Sequence, residues 1–489
     1  MGPVLTAYII IIGCLFLGGL ACCFGFDRKV VIKITVLWMA LTTVAIFTNM
    51  AVLAAVIIMY AVYIKDQPPE AKVFLYVACM PALPLQGFLV PFPGLNYLFE
   101  LSYLRVVVVA LFLPLFFQAF SKPASQGGGF RSSDFYFLCF IILTGLMTYR
   151  LGSFTTMVRE LVNVMVDFGI PYFVISRYVV SSQSLSWLFC GFLVSAAFLS
   201  FFAIIESLMW WRFFSEILFS LQVQYDPVAL VPYSRSGIIR TGGGPMFQTL
   251  GFAHFISMAI VTCFFFWKKK ILRFFPAMIL MGLYTLALTF TDSKGGILAV
   301  LLGILIIYYF SFHKTIKFLT NIAAVIVVPA AVGYFAMFGF SQLEDDHDSF
   351  GYRYQLILNS LDAISQNPIL GSIDFWNNQS LANSLQGEGI IDVTNLYLQV
   401  ILQYGFVGLF LYLMIFFSLI KGVLKKRNVV GFDHKGLILP LVGMTMFFIV
   451  TCSDISFVPF YITFLWAISR AYIGFQEQRL QNTAPAYAN

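Results

Sequence analysis

Charge is scarce in this sequence: aspartate, glutamate, lysine and arginine make up 10% of its 489 residues, whereas 60% are hydrophobic. Soluble domains contain about 25% charged residues, so the composition excludes an ordinary soluble domain. The eight cysteines lie within or beside apolar runs and include no C-x-x-C pair. We therefore expect them to pack as small apolar side chains, without a disulfide framework.

Two further features are missing. The first residues carry no basic stretch and no A-x-A cleavage site, so we expect 4–26 to be a retained membrane span rather than a signal peptide. The two halves of the chain do not resemble each other. The pseudo-symmetric halves of many transporters are therefore not evident.

Long apolar runs fill most of the chain. A membrane-spanning helix needs about 20 apolar residues, so we predict an all-α polytopic membrane protein with roughly fourteen transmembrane helices. One long extracytoplasmic loop with an interfacial helix completes this prediction. The run 73–90 is one predicted span. The run 34–64 is too long for one upright helix, so it is either a tilted helix or a hairpin broken near Asn49.

Short basic loops set the predicted orientation, because cytoplasmic loops are rich in lysine and arginine. Three such loops fall on one side when the spans alternate: Lys268, Lys269, Lys270 and Arg273; His313, Lys314 and Lys317; and Lys421, Lys425, Lys426, Arg427 and Lys435. This side, with the C-terminus, is predicted to be cytoplasmic. The stretch 27–33 lies on the cytoplasmic side only if 34–64 is a hairpin. The predicted regions are N-terminal transmembrane helices at 1–207, a core at 208–473 and a cytoplasmic tail at 474–489.

The stretch 341–395 is the one long polar passage, and it lies on the predicted outer side. Long ordered loops are usually functional. Its segment 351–366 has apolar residues at helical spacing, Asn367-Pro368 ends that pattern, and Gly371 turns the chain. We interpret 351–366 as an interfacial helix; the alternative is a buried helix of a small extramembrane cap.

Several cations fall on the predicted outer side, against the usual bias: Arg150, Arg159, Arg235, Arg240, Lys294 and Arg353. A cation at mid-bilayer costs about 2.5–3.5 kcal/mol, so such residues usually have partners. We interpret the group as an anion site, with pyrophosphate as the obvious candidate, because arginine binds phosphate oxygens in a bidentate manner. The alternative is that the cations extend to lipid headgroups or pair with nearby acids.

Candidate general bases on the same side are His347, within EDDHDS, and the acids Asp292, Asp362, Asp374, Glu388 and Asp392. The acids around His347 favour its protonated form, which weakens it as a base at neutral pH. No residues have metal-ligand spacing, so neither a metal nor another cofactor is expected.

Three sequence blocks surround the long outer loop. They are RSGIIRTGGGPMFQTLG, which contains Arg235 and Arg240; TDSKGGILAVLLG, which contains Lys294; and YRYQLILNSLDAISQNPILG, followed by TNLYLQVILQYGFVGLFLYL. In composition, order and spacing, these blocks resemble the O-antigen ligase and polymerase family of bacterial polytopic glycosyltransferases. The N-terminal half is similar only as a series of hydrophobic spans.

The resemblance implies metal-independent glycosyl transfer at the outer face of the bacterial inner membrane. The donor would be an oligosaccharide linked to undecaprenyl pyrophosphate. Membrane lipids are further partners, a chain-length regulator is left open, and nucleic acid is not expected. We expect Arg240, Lys294 and Arg353 to stabilise the leaving group, and His347 or Asp392 to accept the proton. The expected substrate-binding residues are Arg235, Arg150, Arg159, Thr394 and Asn395.

Two positions depart from the family pattern. Lys294 stands where the family commonly has arginine, which keeps the charge but loses the bidentate fork. Thr394 stands where ligases commonly have histidine, and threonine is not a general base. We therefore predict a polymerase of lipid-linked repeat units for a surface or exopolysaccharide. A ligase that moves a finished glycan to another acceptor is the nearest alternative, and a transporter or flippase is the alternative of a different class.

Overall fold

The fold is that of a computed structural model. It describes residues 2–90, 97, 99–120, 129–179, 181–223, 233–235, 238–311, 349–382, 391, 393, 395–430, 438–449 and 458–483. The helices in chain order are α1 Pro3–Cys23, α2 Arg28–Phe47, α3 Met50–Tyr63, α4 Pro69–Cys79, α5 Tyr103–Val107, α6 Leu113–Phe120, α7 Ser132–Leu151, α8 Phe154–Val164, α9 Ile170–Tyr178, α10 Ser182–Met209, α11 Ser215–Leu221, α12 Thr249–Lys268, α13 Phe274–Thr289, α14 Lys294–Ser311, α15 Ser349–Gln366, α16 Gln379–Ala382, α17 Leu396–Val430, α18 Leu439–Ile449 and α19 Val458–Thr483. Short π-helical turns join α5 to α6 and α8 to α9.

Strands are few and short in the described segments. β1 (Gly87–Leu89) pairs with β2 (Glu100–Ser102), and β3 (Tyr233–Arg235) pairs with β4 (Ile238–Arg240), both antiparallel. The predicted all-α class is therefore confirmed in outline. These two small sheets were not predicted.

Six helices of the described segments are long and apolar enough to cross a membrane: Pro3–Cys23, Arg28–Phe47, Ser132–Leu151, Ser182–Met209, Thr249–Lys268 and the Leu396–Lys425 part of α17. Their number and composition indicate a multi-pass membrane protein, as the sequence predicts. The predicted total of roughly fourteen spans stays a prediction. The predicted span 318–338, for example, lies outside the described residues.

The helix bundle has two chemically different ends. Helices α12, α13 and α14 follow one another through short turns and pack together; Gly296 of α14 lies against Ala253 of α12 and Leu288 of α13. The turn 269–273 and the turn 290–293 therefore lie at opposite ends of the bundle. We call the first the basic end and the second the site end.

A buried ion cluster ties three helices together at the basic end. The carboxylate of Asp134 in α7 accepts hydrogen bonds from Arg177 of α9 at 3.0 Å and from Arg470 of α19 at 3.3 Å. The hydroxyl of Tyr172 donates a third at 2.8 Å. All four side chains are buried. Helix α10 ends at the site end, because its Glu206 bonds to Thr241, whose backbone N–H donates to the carbonyl oxygen of Phe290. Since α10 starts directly after α9, the cluster and the starts of α7 and α10 lie at the basic end.

The run 34–64 forms two helices with a break beside Asn49, which agrees with the hairpin alternative and not with a single tilted helix. Helix α2 ends at Phe47 and α3 begins at Met50. The side chain of Asn49 caps α3 by accepting a hydrogen bond from the Val52 N–H at 3.1 Å.

Contacts at both ends of this helix pair support the hairpin. A Cβ added to Gly25, just before α2, would lie 2.6 Å from the Leu272 side chain in the turn of the basic end. The hydroxyl of Tyr178, at the end of α9, donates to the carbonyl oxygen of Leu115 at 3.2 Å, and Leu115 lines one pocket with Lys65, which follows α3. Helix α2 therefore leaves the basic end and α3 returns to it, which also places 27–33 there.

The prediction of one span at 73–90 is wrong. Helix α4 ends at Cys79, and the chain then passes Pro81 and Pro84 before β1 begins at Gly87. Proline lacks a backbone N–H and disfavours a helical conformation of the preceding residue. The two prolines account for the end of the helix despite the apolar composition.

Helix α17 consists of two segments that meet at Gly405, whose φ of 62° and ψ of −165° are not helical. Such a break leaves backbone N–H groups without helical partners. Here the N–H groups of Phe406 and Val407 donate to the carbonyl oxygens of Pro368 at 2.9 Å and Ile369 at 3.1 Å. The turn after α15 is therefore bonded into the break of a membrane helix.

Helix α15 lies where the sequence predicts a helix in the long loop. Its residues Leu356 and Ala363 are buried in a small separate cluster that includes Phe375. Ile357 and Leu361 are 43% and 54% exposed. The buried face fits the small-cap alternative and the exposed apolar face fits a helix at a membrane interface, so its interfacial placement stays a prediction.

Candidate functional site

Arg240 ends β4 and is bonded to the turn before α14. Its Nε donates to the carbonyl oxygen of Thr291 at 2.8 Å. The backbone N–H of Thr241 donates to the carbonyl oxygen of Phe290 at 3.1 Å. Two consecutive residues are thus attached to the turn that leads into Lys294, so the structure brings Arg240 and this turn together at the site end.

The turn that carries Lys294 has a defined backbone. Asp292 has a φ of 46°, in the left-handed region that non-glycine residues seldom adopt. The hydroxyl of Ser293 accepts a hydrogen bond from the Gly296 N–H at 3.1 Å and so caps α14. Lys294 is the first residue of α14 and is exposed. Its ammonium therefore adds to the positive character of a helix start, which favours an anion.

A buried carboxylate holds the glycine-rich segment after Arg240. Glu206, near the end of α10, is 2% exposed. Its Oε2 accepts hydrogen bonds from the Thr241 hydroxyl at 2.8 Å and from the Gly244 N–H at 3.2 Å. The Thr241 hydroxyl oxygen accepts one from the Gly243 N–H at 3.0 Å. One side chain of α10 therefore shapes the backbone that follows β4.

Further contacts of α10 and the turn after it support the same region. The Ser207 hydroxyl donates to the carbonyl oxygen of Ile239 in β4 at 3.0 Å. Arg212 is buried and donates to the carbonyl oxygen of Phe247 at 3.4 Å. Burial lowers the pKa of the Arg212 guanidinium, and the charge of Glu206 opposes this effect. The glycine-rich segment is thus supported by a buried acid and a buried base.

Three of the five described non-glycine residues with a positive φ lie in this region. Besides Asp292, Trp210 and Phe247 have φ values of 55° and 52°, and Gly243 and Gly244 have 73° and 62°. Glycine accepts such angles, whereas each non-glycine residue in this conformation costs about 1–3 kcal/mol. Strain of this kind clusters at active sites and ligand sites. It makes this region the best candidate site within the described segments.

Arg150 and Arg159 bind protein atoms. Arg150, near the end of α7, donates to the Asn367 side chain at 3.2 Å and to the carbonyl oxygen of Gly371 at 3.3 Å. Arg159 donates to the carbonyl oxygen of Tyr97 at 2.7 Å, and its guanidinium carbon lies 3.8 Å from the centre of the Tyr97 ring. Arg150 is therefore held beside the turn after α15, and Arg159 beside the loop before β2. Their roles in substrate binding stay predictions.

The remaining predicted site residues are placed in part. The side chain of Asn395 caps α17 by accepting hydrogen bonds from the N–H groups of Tyr397 at 3.0 Å and Leu398 at 3.2 Å. Arg235 lies in β3 and Arg353 in α15, both placed by their backbone alone. His347, Asp392 and Thr394 lie outside the described residues. In the segments that the structure covers, no three His, Cys, Asp or Glu side chains are grouped as metal ligands.

Glu206 was not predicted as a site residue, although the sequence carries a signal for it. Glu206 is the single charged residue in the 28-residue helix α10. An ionisable residue inside an apolar membrane segment usually has a partner and a function. Its main partner, Thr241, stands 35 positions later in the chain, so the pairing itself is visible only in the fold.

The described helices show that this is a helical, multi-pass membrane protein. Residues 276–413 match the family model described as O-antigen ligase. The matched segment starts in α13, includes the turn at Lys294 and ends in α17 beyond Gly405. This match supports the assignment of the chain to the O-antigen ligase/polymerase family, so the resemblance seen in the sequence is confirmed. A comparison with curated proteins finds no match.

The match and the geometry overlap at the site end. Lys294, Gly371 and Gly405 lie inside the matched segment, whereas Arg240 and Glu206 precede it. The assignment supports an enzyme with a glycan function of the ligase or polymerase type. It also supports lipid-linked glycans as the substrates.

Proposed function

We propose that the protein polymerises oligosaccharide repeat units carried on undecaprenyl pyrophosphate, for a surface or exopolysaccharide. The contact between Arg240 and Thr291 carries the proposal, because it joins one cation to the turn of a second, Lys294, within the family-matched segment. Two cations at one end of a helical membrane protein suit a lipid-borne pyrophosphate, since charge-assisted bonds to phosphate oxygens are strong.

The reaction is a substitution at the anomeric carbon of the growing chain. The acceptor hydroxyl oxygen of another lipid-linked unit forms a bond to this carbon. The bond between the carbon and the pyrophosphate oxygen breaks, and the lipid pyrophosphate leaves with the bonding electrons. Negative charge grows on the leaving oxygen, and fixed cations directed at it lower the barrier. In the proposal Arg240 and Lys294 supply these cations, joined by Arg353 from α15.

Proton transfer and sugar binding complete the proposed site. The acceptor hydroxyl loses its proton to a general base, for which we propose His347 or Asp392. The residues proposed to bind substrate or hold the loop around it are Arg235, Arg150, Arg159, Thr394 and Asn395. A chain-length regulator is a further proposed partner. No metal has a role in this scheme.

We propose that the site end faces outward from the bacterial inner membrane and that the basic end is cytoplasmic. The lysines and arginine in and directly before the turn 269–273 support this orientation, because such residues are enriched on the cytoplasmic side. Arg470 of α19 belongs to the ion cluster of the basic end, and the C-terminal part of α19 follows it. This supports a cytoplasmic C-terminus. The proposed regions are membrane helices at 1–207, the catalytic core at 208–473 and the tail at 474–489.

A ligase is the second candidate, because the matching family model is described as O-antigen ligase. The two functions differ in the acceptor, so the test supplies the purified protein in liposomes with the lipid-linked repeat unit alone. A ladder of products supports the polymerase, whereas product that forms only after a second acceptor is added supports the ligase. If no new glycosidic bond forms in either experiment, the proposed function is wrong.

A further inference from the structure

A polar groove lies between the end of α15 and the segment that follows it. Its volume is about 410 Å³, within the range of about 300–1,000 Å³ that is typical of small-molecule sites. Half of the residues that line it carry side-chain amides, namely Gln366, Asn367, Asn377, Asn378 and Gln379. Phe375 and Leu402 form apolar parts of its wall.

The groove has the chemistry of a site for an uncharged, hydroxyl-rich ligand. An amide offers both a donor and an acceptor, and so does a hydroxyl group, so the two are complementary. Of the described residues that line the groove, Asp374 is the one carboxylate and none is a lysine or an arginine. This lining does not favour an anion such as pyrophosphate. A sugar ring suits this lining because its hydroxyl groups are complementary to the amides and its C–H groups to the apolar part of the wall.

Some of the amides are fixed and others are available. The Nδ2 of Asn378 donates to the Oε1 of Gln366 at 2.9 Å, which holds the two sides of the groove together. The side chains of Asn377 and Gln379 are exposed and make no hydrogen bond with the described residues. They can therefore bind a ligand without breaking an existing contact.

The walls of the groove are held before any ligand arrives. Arg150 donates to the side chain of Asn367 and to the carbonyl oxygen of Gly371. The Ser372 N–H donates to the carbonyl oxygen of Leu402 at 2.8 Å, which fixes the wall to α17. Binding to a site already in shape loses less conformational entropy than binding to a mobile one.

We propose that this groove is a subsite for a sugar residue of the lipid-linked glycan, which binds through uncharged hydroxyl groups. The inference rests on the proposed glycan transfer. It adds a binding site for the sugar that is distinct from the cations proposed to bind the pyrophosphate. Arg150 acts as a positioning residue, because it holds the rim through Asn367 and Gly371. Asn377 and Gln379 are the side chains that contact the sugar.

The test measures binding of the oligosaccharide repeat unit, released from its lipid carrier by mild acid, to the purified full-length protein in detergent micelles. Saturation-transfer NMR gives the affinity. We expect the double variant Asn377→Ala, Gln379→Ala to weaken binding at least tenfold. Its thermal unfolding should match that of the wild type, because neither side chain bonds to described residues. Gln355→Ala, an exposed amide of α15 outside the groove, is the matched control and should bind normally.

Each result supports or overturns the subsite. Unchanged affinity in the double variant, or no binding to the wild type, overturns it. Lys294→Ala should leave the affinity for the released sugar unchanged, since the probe lacks the pyrophosphate; an equal loss in this variant would also overturn it. The proposed function fails separately, if the wild type forms no glycosidic bond from lipid-linked units. If the wild type transfers glycan and the groove variant binds the sugar as tightly as the wild type, the subsite is wrong and the proposed function stands.

Discussion

The backbones of Gly371 and Gly405 lie so close together that neither position has room for a side chain. A Cβ added to Gly371 would lie 2.5 Å from the backbone nitrogen of Gly405, and one added to Gly405 would lie 2.2 Å from the carbonyl oxygen of Ile369. Their φ values are 68° and 62°. This contact joins the turn after α15 to the break in α17, so it fixes the polar groove to a membrane helix.

We expect Gly371→Ala to lower the stability of the protein markedly. The new Cβ would meet backbone atoms that have no rotamer to move into, and the positive φ alone adds about 1–3 kcal/mol of strain. The midpoint of thermal unfolding in detergent micelles measures the effect. Gly282→Ala is the control, because an added Cβ there meets no atom within 4 Å and should leave the midpoint at or slightly above the wild-type value. Equal midpoints for the two variants would contradict the close contact.

A second prediction concerns the carboxylate beneath the glycine-rich segment. Glu206→Ala leaves the Thr241 hydroxyl and the Gly244 N–H without their acceptor, and each buried unsatisfied group costs about 1–3 kcal/mol. Glu206→Gln keeps one acceptor oxygen, so its unfolding midpoint should lie between those of the alanine variant and the wild type. Transfer activity per folded molecule should fall in Glu206→Ala, because Arg240 loses the support of the segment that follows it.

Glu216→Ala is the control for this pair of variants. Glu216 is a half-buried acid in α11 whose side chain makes no hydrogen bond with the described residues. Its removal should leave both stability and activity close to the wild-type values. A Glu206→Ala protein as stable and active as Glu216→Ala would show that the carboxylate does not hold the segment.

Local chemistry accounts for the parts of the fold that the sequence predicted well. Asn49 marked the break between α2 and α3 because a side-chain oxygen can cap a new helix. The end of α15 followed from Asn367-Pro368, and the turn at Gly371 followed from the conformational freedom of glycine. Each signal lies within a few residues of the feature it predicts.

Features that depend on contacts between distant residues, or on prolines inside an apolar run, were not predicted from the sequence. The apolar composition of 73–90 suggested a span, although Pro81 and Pro84 prevent a continuous helix. The contact of Arg150 with Asn367 was not predicted, because the two residues stand 217 positions apart and are close only in the fold. Arg240 is bonded to the turn that leads into Lys294, whereas the predicted grouping of the cations around one anion stays a prediction.

The buried cluster at the basic end gives a stability prediction that is independent of function. Asp134→Ala leaves the guanidinium groups of Arg177 and Arg470 buried without their shared carboxylate, and breaking a buried ion pair costs about 3–5 kcal/mol. The unfolding midpoint in detergent should therefore fall steeply. Asp362→Ala, at an exposed acid of α15, should leave it unchanged. Equal midpoints for the two variants would mean that the cluster contributes little to helix packing.

The cation pair gives the prediction that bears most directly on the chemistry. Lys294→Ala should lower the rate of glycan transfer by about 10²–10³-fold, because it removes one charge that stabilises the leaving pyrophosphate. Lys294→Arg restores the charge and should retain most of the rate. The transfer rate of Arg240→Ala should fall by a similar factor. Arg240→Lys should restore less of the rate, since a lysine lacks the Nε that donates to Thr291. The lipid-linked repeat-unit assay in liposomes measures all four, with exposed Lys33→Ala at the basic end as the control. Product ladders of wild-type length and yield in both alanine variants would show that these two residues do not form the pyrophosphate site.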